Sequence, residues 1–138
     1  MNAYLDTSAL LRLIFREPGA LEELRSCETL VSSELIAVES ARTIDRLRLQ
    51  GALSAQEAGA RLKMVSDWLE AVDLVMLRTR VLTRAAEPQP TPIGTLDAIH
   101  LATALVWRDR MEQPLVVATH DAALALAARA YGLDVIGA

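Results

Sequence analysis

Short apolar runs alternate with longer stretches of helical periodicity along this chain, and that alternation leaves few architectures open. Residues 2–5, 29–31, 72–77 and 115–118 are runs of strand length, and 134–136 offer a fifth. Between them lie segments whose apolar residues recur at helical spacing. Strands separated by helices pair in parallel through right-handed crossovers, and such a sheet is covered on both faces. The expected fold is a three-layer α/β/α sandwich with a central, mostly parallel sheet of four to five strands.

Local signals place the helices. Thr7 and Ser8 offer capping hydroxyls for a helix carrying Leu10, Leu11, Leu13 and Ile14, and Pro18 can open a second through Leu21 and Leu24 to near Cys27. Ser32 or Ser33 can cap a helix running to about Gln50, where Gly51 stops it. Ser54 followed by Glu57 is a capping box. Pro88, Pro90 and Pro92 forbid a regular helix and reset the chain before its most apolar helix, Thr95 to about Arg110. A last helix runs from about Asp121 to Tyr131, ended by Gly132. With 138 residues, no repeat and no linker, residues 1–138 are expected to form a single domain.

Composition narrows the function classes. Hydrophobic residues make up 52% of the chain and aromatics only 4%, so Ala, Leu and Val must fill the core and helices are favoured. One cysteine, Cys27, excludes an internal disulfide and a cysteine zinc cluster. Asp6 and Arg12 interrupt the N-terminal apolar stretch, and no apolar run reaches the roughly 20 residues of a membrane span. The expectation is a cytoplasmic protein without membrane association. The net charge of -4 argues mildly against a passive nucleic-acid-binding module. Lys63 is nevertheless the only lysine, and the arginines that supply the remaining positive charge suit bidentate contact with phosphate.

Asp6, Glu39, Asp97 and Asp121 are the residues to which chemistry can be attached. Asp6 and Asp121 each follow an expected strand, at the sheet edge where sites of α/β folds gather; each also reads as a loop or cap residue. Asp97 lies in the first turn of a helix apolar almost all round, where a carboxylate needs a partner or a cation unless it faces solvent and complements the helix dipole. Glu39 shares a helix face with Arg42, Thr43 and Arg46, which by itself suggests a surface ion pair. His100 reads as a hydrogen-bonded core histidine rather than a ligand. Thr7 and Ser8 can act as caps or orient the Asp6 carboxylate. No glycine-rich phosphate loop or Gly-x-Ser-x-Gly elbow is present. His100 and His120 lack zinc-ligand spacing. Asp6 is not followed two residues on by a second aspartate, which weakens a phosphoaspartate hydrolase.

Four stretches together resemble the PIN-domain family and, within it, the VapC-like toxins of bacterial toxin–antitoxin pairs. They are Tyr4-Leu5-Asp6-Thr7-Ser8-Ala9-Leu10; Ser33-x-Leu35-x-x-Val38-Glu39-x-x-Arg42; Leu96-Asp97-Ala98-Ile99-His100-Leu101-Ala102-Thr103-Ala104; and Thr119-x-Asp121-x-x-Leu124-x-x-Ala127-Ala128-x-x-x-Gly132-Leu133-x-Val135. The resemblance implies a PIN-like sandwich and a Mg²⁺- or Mn²⁺-dependent endoribonuclease. It makes Asp6, Glu39, Asp97 and Asp121 the acidic cluster, supported by Thr7 and Thr119. On that reading water attacks the RNA phosphodiester with metal assistance, Asp6 and Asp97 are the direct ligands, and Glu39 positions the metal-bound water or a second metal. Asp121 is the least regular position of the four. Arg12, Arg16, Arg42 and Arg46 are candidates for holding the RNA backbone. The resemblance further implies a homodimer and a VapB-like antitoxin whose C-terminal segment blocks the site with an arginine. Two rival readings are a catalytically silent PIN fold that serves as an interaction partner and a receiver-like phosphoacceptor. The second needs a lysine at a late strand end, and Lys63 lies in a helical segment instead.

Overall fold

A computed structural model describes residues 1–138. In chain order the elements are β1 (Asn2–Leu5), α1 (Thr7–Ile14), a 3₁₀ turn (Glu22–Ser26), β2 (Thr29–Ser33), α2 (Leu35–Leu49), α3 (Ala55–Leu69), β3 (Val72–Val75), α4 (Thr79–Ala85), α5 (Thr95–Met111), β4 (Val116–Ala118), α6 (Ala122–Ala130) and β5 (Asp134–Ile136). All five strands are parallel and lie in the order β3-β2-β1-β4-β5. The three-layer α/β/α sandwich expected from the alternation is the observed fold.

The central strand shows how the sequence builds the layers. Side chains alternate across a strand. Ala3 and Leu5 enter a core with Leu10, Leu13, Ile36, Ile44 and Val65 from α1, α2 and α3. Tyr4, between them, enters a second core with Val31, Val117, Leu101, Leu105 and Leu124 on the side of α5 and α6. Full burial of each aliphatic side chain is worth roughly 1.5–3 kcal/mol against leaving it exposed. Both cores therefore depend on β1, which pairs with β2 on one edge and β4 on the other.

Several local expectations shift. Asp6 occupies the N-cap position of α1, and Thr7 and Ser8 lie inside the helix, so their hydroxyls go to carboxylates rather than to capping. No α-helix follows Pro18. Gly19 has φ +80°, a left-handed conformation that breaks the chain into a turn, and only the 3₁₀ turn forms beyond it. β2 runs on through Ser32 and Ser33, and Ser33 Oγ accepts from the Leu35 backbone N–H at the start of α2. β3 stops at Val75 rather than Leu77, whose N–H donates to the Glu34 carboxylate. The capping box at Ser54 and Glu57 forms as expected. No helix is long and apolar enough to cross a membrane.

Candidate active site

The chain leaves β1 towards β2 on one side and returns through α5 to β4 on the other, so β1 and β4 flank the switch in strand order where α/β folds place their sites. Asp6 follows the last residue of β1, and its backbone N–H donates to Ala118 O at 3.0 Å, extending the β1–β4 ladder by one step. Its side chain is buried, with Oδ2 accepting from Ser8 Oγ at 2.6 Å and from Thr119 Oγ1 at 2.8 Å. Oδ1 lies 3.9 Å from His100 Nε2.

Thr119 joins two of the acids. Its hydroxyl donates to Asp6 and accepts from the Asp121 backbone N–H at 3.0 Å, while Asp121 Oδ1 caps α6 by accepting from Leu124 N–H at 2.8 Å. The cap reading of Asp121 thus holds, and one carboxylate oxygen is left over. Glu39 comes from the second turn of α2. Its Oε1 accepts from Thr7 Oγ1 at 2.9 Å and from His100 Nε2 at 2.5 Å. A Glu39–Arg42 surface pair does not form, because Arg42 is held by Asp45 at 2.5 Å. Asp97 stands in the first turn of α5, partly buried.

The electrostatics show that these four acids share one neighbourhood. Burial, and then the charges of Asp121 and Asp6, push the Asp97 carboxyl up to about 6; His100 opposes the rise and Glu39 adds least to it. Burial also raises Glu39, but the His100 and Thr7 hydrogen bonds outweigh it and hold the carboxyl below its ordinary value. For His100 burial works downward, and the Glu39 hydrogen bond with the charges of Asp6, Glu39 and Asp97 carries the imidazole above its usual range. No arginine or lysine pairs with any of the four acids; His100 is their sole ion-pair partner.

The set fits a hard divalent cation. The donors are carboxylate oxygens, negative charge is uncompensated, and Asp6, Glu39 and Asp121 each keep one oxygen without a protein donor. No three carboxylate or imidazole groups stand together at ligand spacing. Mg²⁺ does not require that, since one or two carboxylates usually hold it while the remaining positions go to water and phosphate.

His100 is fully buried and hydrogen-bonded, as a core histidine should be, yet its bonds run into the site. Its Nδ1 lies 2.7 Å from the Tyr4 hydroxyl, which also accepts from Ser33 N–H at 3.2 Å. The role of Tyr4 was missed in the sequence, although a buried tyrosine hydroxyl in an apolar run needs a partner and so signals a polar contact. The four arginines are less uniform. Arg12 faces Glu17 at 3.6 Å, Arg16 lies just past α1 with φ 53°, Arg42 is tied to Asp45, and Arg46 is exposed without an ion pair. Lys63 lies inside α3 and is paired there with Asp67, not at the end of a strand, which removes the support for a receiver-like module.

The family model described as PIN domain matches residues 3–130, a span that includes all four acids. The chain belongs to the PIN-domain family. Among curated PIN relatives it is 38% identical over 137 residues to Ribonuclease VapC46 of Mycobacterium tuberculosis, covering 96% of this chain and 95% of that one. Ribonuclease VapC47, from the same species, is 31% identical over 101 residues, 73% of each chain. Among solved structures, VapBC2 from Rickettsia felis bound to a promoter DNA fragment matches with TM-score 0.68 at 14% identity, covering 98% of this chain and 97% of that one. VapBC-1 from nontypeable Haemophilus influenzae matches with TM-score 0.65 at 18% identity, covering 98% and 96%. At such identities the structural likeness is one of fold, and it agrees with the PIN architecture described above.

Proposed function

We propose that this protein is a Mg²⁺- or Mn²⁺-dependent endoribonuclease and the toxin of a toxin–antitoxin pair, acting in the cytoplasm as a single catalytic domain. The observation that carries the reading is the convergence of Asp6, Glu39, Asp97 and Asp121 from four segments on one neighbourhood in which no arginine or lysine neutralises them. The names of its curated relatives, both ribonucleases, point the same way. The toxin–antitoxin complexes among its structural neighbours support a VapB-like antitoxin as partner. We extend the proposal to a homodimer.

Asp6 and Asp97 are the residues to hold the cation, which when bound offsets the acidic charge, orients a scissile phosphate and makes attacking water more acidic. Thr119 and Ser8 hold one oxygen of Asp6, so that carboxylate cannot rotate freely. Glu39 is held in the same way by Thr7 and His100 and serves to orient the attacking water or a second cation. Asp121, engaged as a helix cap, keeps a single oxygen for the site. Arg46 and Arg16 are the most available of the four arginines for the RNA backbone, since Arg12 and Arg42 already face acids.

The test is cleavage of a panel of cellular RNAs with Mg²⁺ or Mn²⁺ by wild type, Asp6→Asn and Asp97→Asn. Cleavage that requires the cation and is lost in both variants is expected. Cation-independent cleavage, or full activity in both variants, overturns the mechanism.

A further inference from the structure

We propose that His100, held in turn by Tyr4, is a positioning residue for this reaction: its Nε2–H fixes Glu39 by one oxygen beside Asp6 and keeps the other oxygen available to the cation site. The inference rests on the functional reading above and extends it to two residues that touch neither substrate nor cation.

The geometry is a buried relay. Ser33 N–H donates to the Tyr4 hydroxyl, which is 2.7 Å from His100 Nδ1, and His100 Nε2 is 2.5 Å from Glu39 Oε1. Tyr4 and His100 are 1% and 0% exposed, so water does not compete for these bonds. Their rings meet edge to face at 5.8 Å, which fixes the imidazole plane. Whether the imidazole is neutral and accepts the tyrosine hydrogen, or is protonated, Nε2 carries a hydrogen. Glu39 Oε1 therefore receives a donor in both states, joined by Thr7.

Packing alone does not explain the arrangement. A leucine or phenylalanine would fill the space between β1, β2 and α5 without burying an imidazole and a phenol. The relay instead ends on a carboxylate whose side chain is 22% exposed at the site, and its last nitrogen lies between Glu39 and Asp6, residues from different elements. A buried donor in that place sets the spacing of two like charges that would otherwise move apart.

The experiment compares wild type with His100→Leu, His100→Gln and Tyr4→Phe, with Asp97→Asn as the site control. Thermal melts report folding, Mn²⁺ titration of the protein alone reports cation affinity, and RNA cleavage reports kcat and KM. His100→Leu should lower kcat or Mn²⁺ affinity by roughly 10–100-fold, the usual scale for removing a group that orients a ligand, with KM for RNA little changed. His100→Gln, whose amide can still donate to Glu39, should recover part of the loss, and Tyr4→Phe should fall between it and wild type. A folded His100→Leu protein with wild-type kcat and Mn²⁺ affinity overturns the proposal, as does a glutamine that recovers nothing. If both His100 variants fail to fold, Tyr4→Phe decides, and wild-type behaviour there is the overturning result. If wild type cleaves no RNA, the functional reading fails, and the Mn²⁺ affinities alone then judge the positioning role.

Discussion

Asp6, Glu39 and Asp121 each surrender one carboxylate oxygen to protein donors and keep the other, so the fold spends its hydroxyls and amides on orientation rather than on neutralisation. Thr119 shows the cost of disturbing this. Thr119→Val keeps the shape but strips Asp6 of a donor and leaves the Asp121 N–H without an acceptor. A loss of roughly 1–3 kcal/mol is expected from such an unsatisfied buried group, measurable by urea denaturation, together with weaker Mn²⁺ binding. Asp97 gives a pH prediction. Its folded carboxyl, raised to about 6, binds a proton more tightly than the unfolded chain does. Stability of the cation-free protein therefore falls as pH rises from about 4 through about 6, and His100, also raised, extends the fall at higher pH. Glu39 works oppositely: its lowered carboxyl contributes stability above the ordinary carboxyl range that is lost as the pH drops through its folded value. Melting curves of chelated protein should decline between about pH 4 and about pH 6, and Asp97→Asn should flatten the decline. Mn²⁺ affinity should rise over the same interval as the proton stops competing. Glu39 could not be ranked from its own segment because its partners, Thr7 and His100, lie 32 and 61 residues away. Neighbouring arginines suggested a surface pair, and only the fold shows that Asp45 takes Arg42 instead.

At the level of elements, signals confined to a few residues were legible and those that depend on tertiary pairing were not. The Ser54–Glu57 capping box was read from sequence and forms with both reciprocal bonds. Ser54→Ala should cost about 1 kcal/mol, seen as a lower denaturation midpoint, and should leave RNA cleavage unchanged because α3 carries none of the acids. Ile44→Ala on α2 belongs to another class: Ile44 is 0% exposed in the core that α1, α2 and α3 share with the sheet, and removing it should cost about 2–5 kcal/mol. Parallel strands and crossover helices followed from periodicity, since alternation by itself demands that topology. The segment after Pro18 did not, because the left-handed turn at Gly19 outweighed the apolar spacing of Leu21 and Leu24. Ser32 or Ser33 is the cap expected for α2; pairing with β3 draws both into β2, and Ser33 still accepts from the Leu35 N–H at the start of the helix while Glu34 takes the N-cap position.

Across the whole molecule, the segment after β4 is held from the far end of the chain. Gly137 has φ +97°, and a Cβ there would stand 2.5 Å from the Thr119 carbonyl oxygen; its own carbonyl oxygen lies 2.9 Å from His120 Nδ1. Gly137→Ala should therefore destabilise by roughly 1–3 kcal/mol and displace the 119–121 segment, lowering cleavage more than an equally destabilising core substitution does. The strand order has a temporal consequence. β1 is made first, but β4, its neighbour at the site, is separated from it by five α-helices and two strands. During synthesis Asp6 thus emerges long before Thr119 and Asp121, and the nascent chain carries its first acid without the segment that orients it. On the proposed function, a ribosome can translate most of this message while the enzyme that would attack RNA remains unassembled.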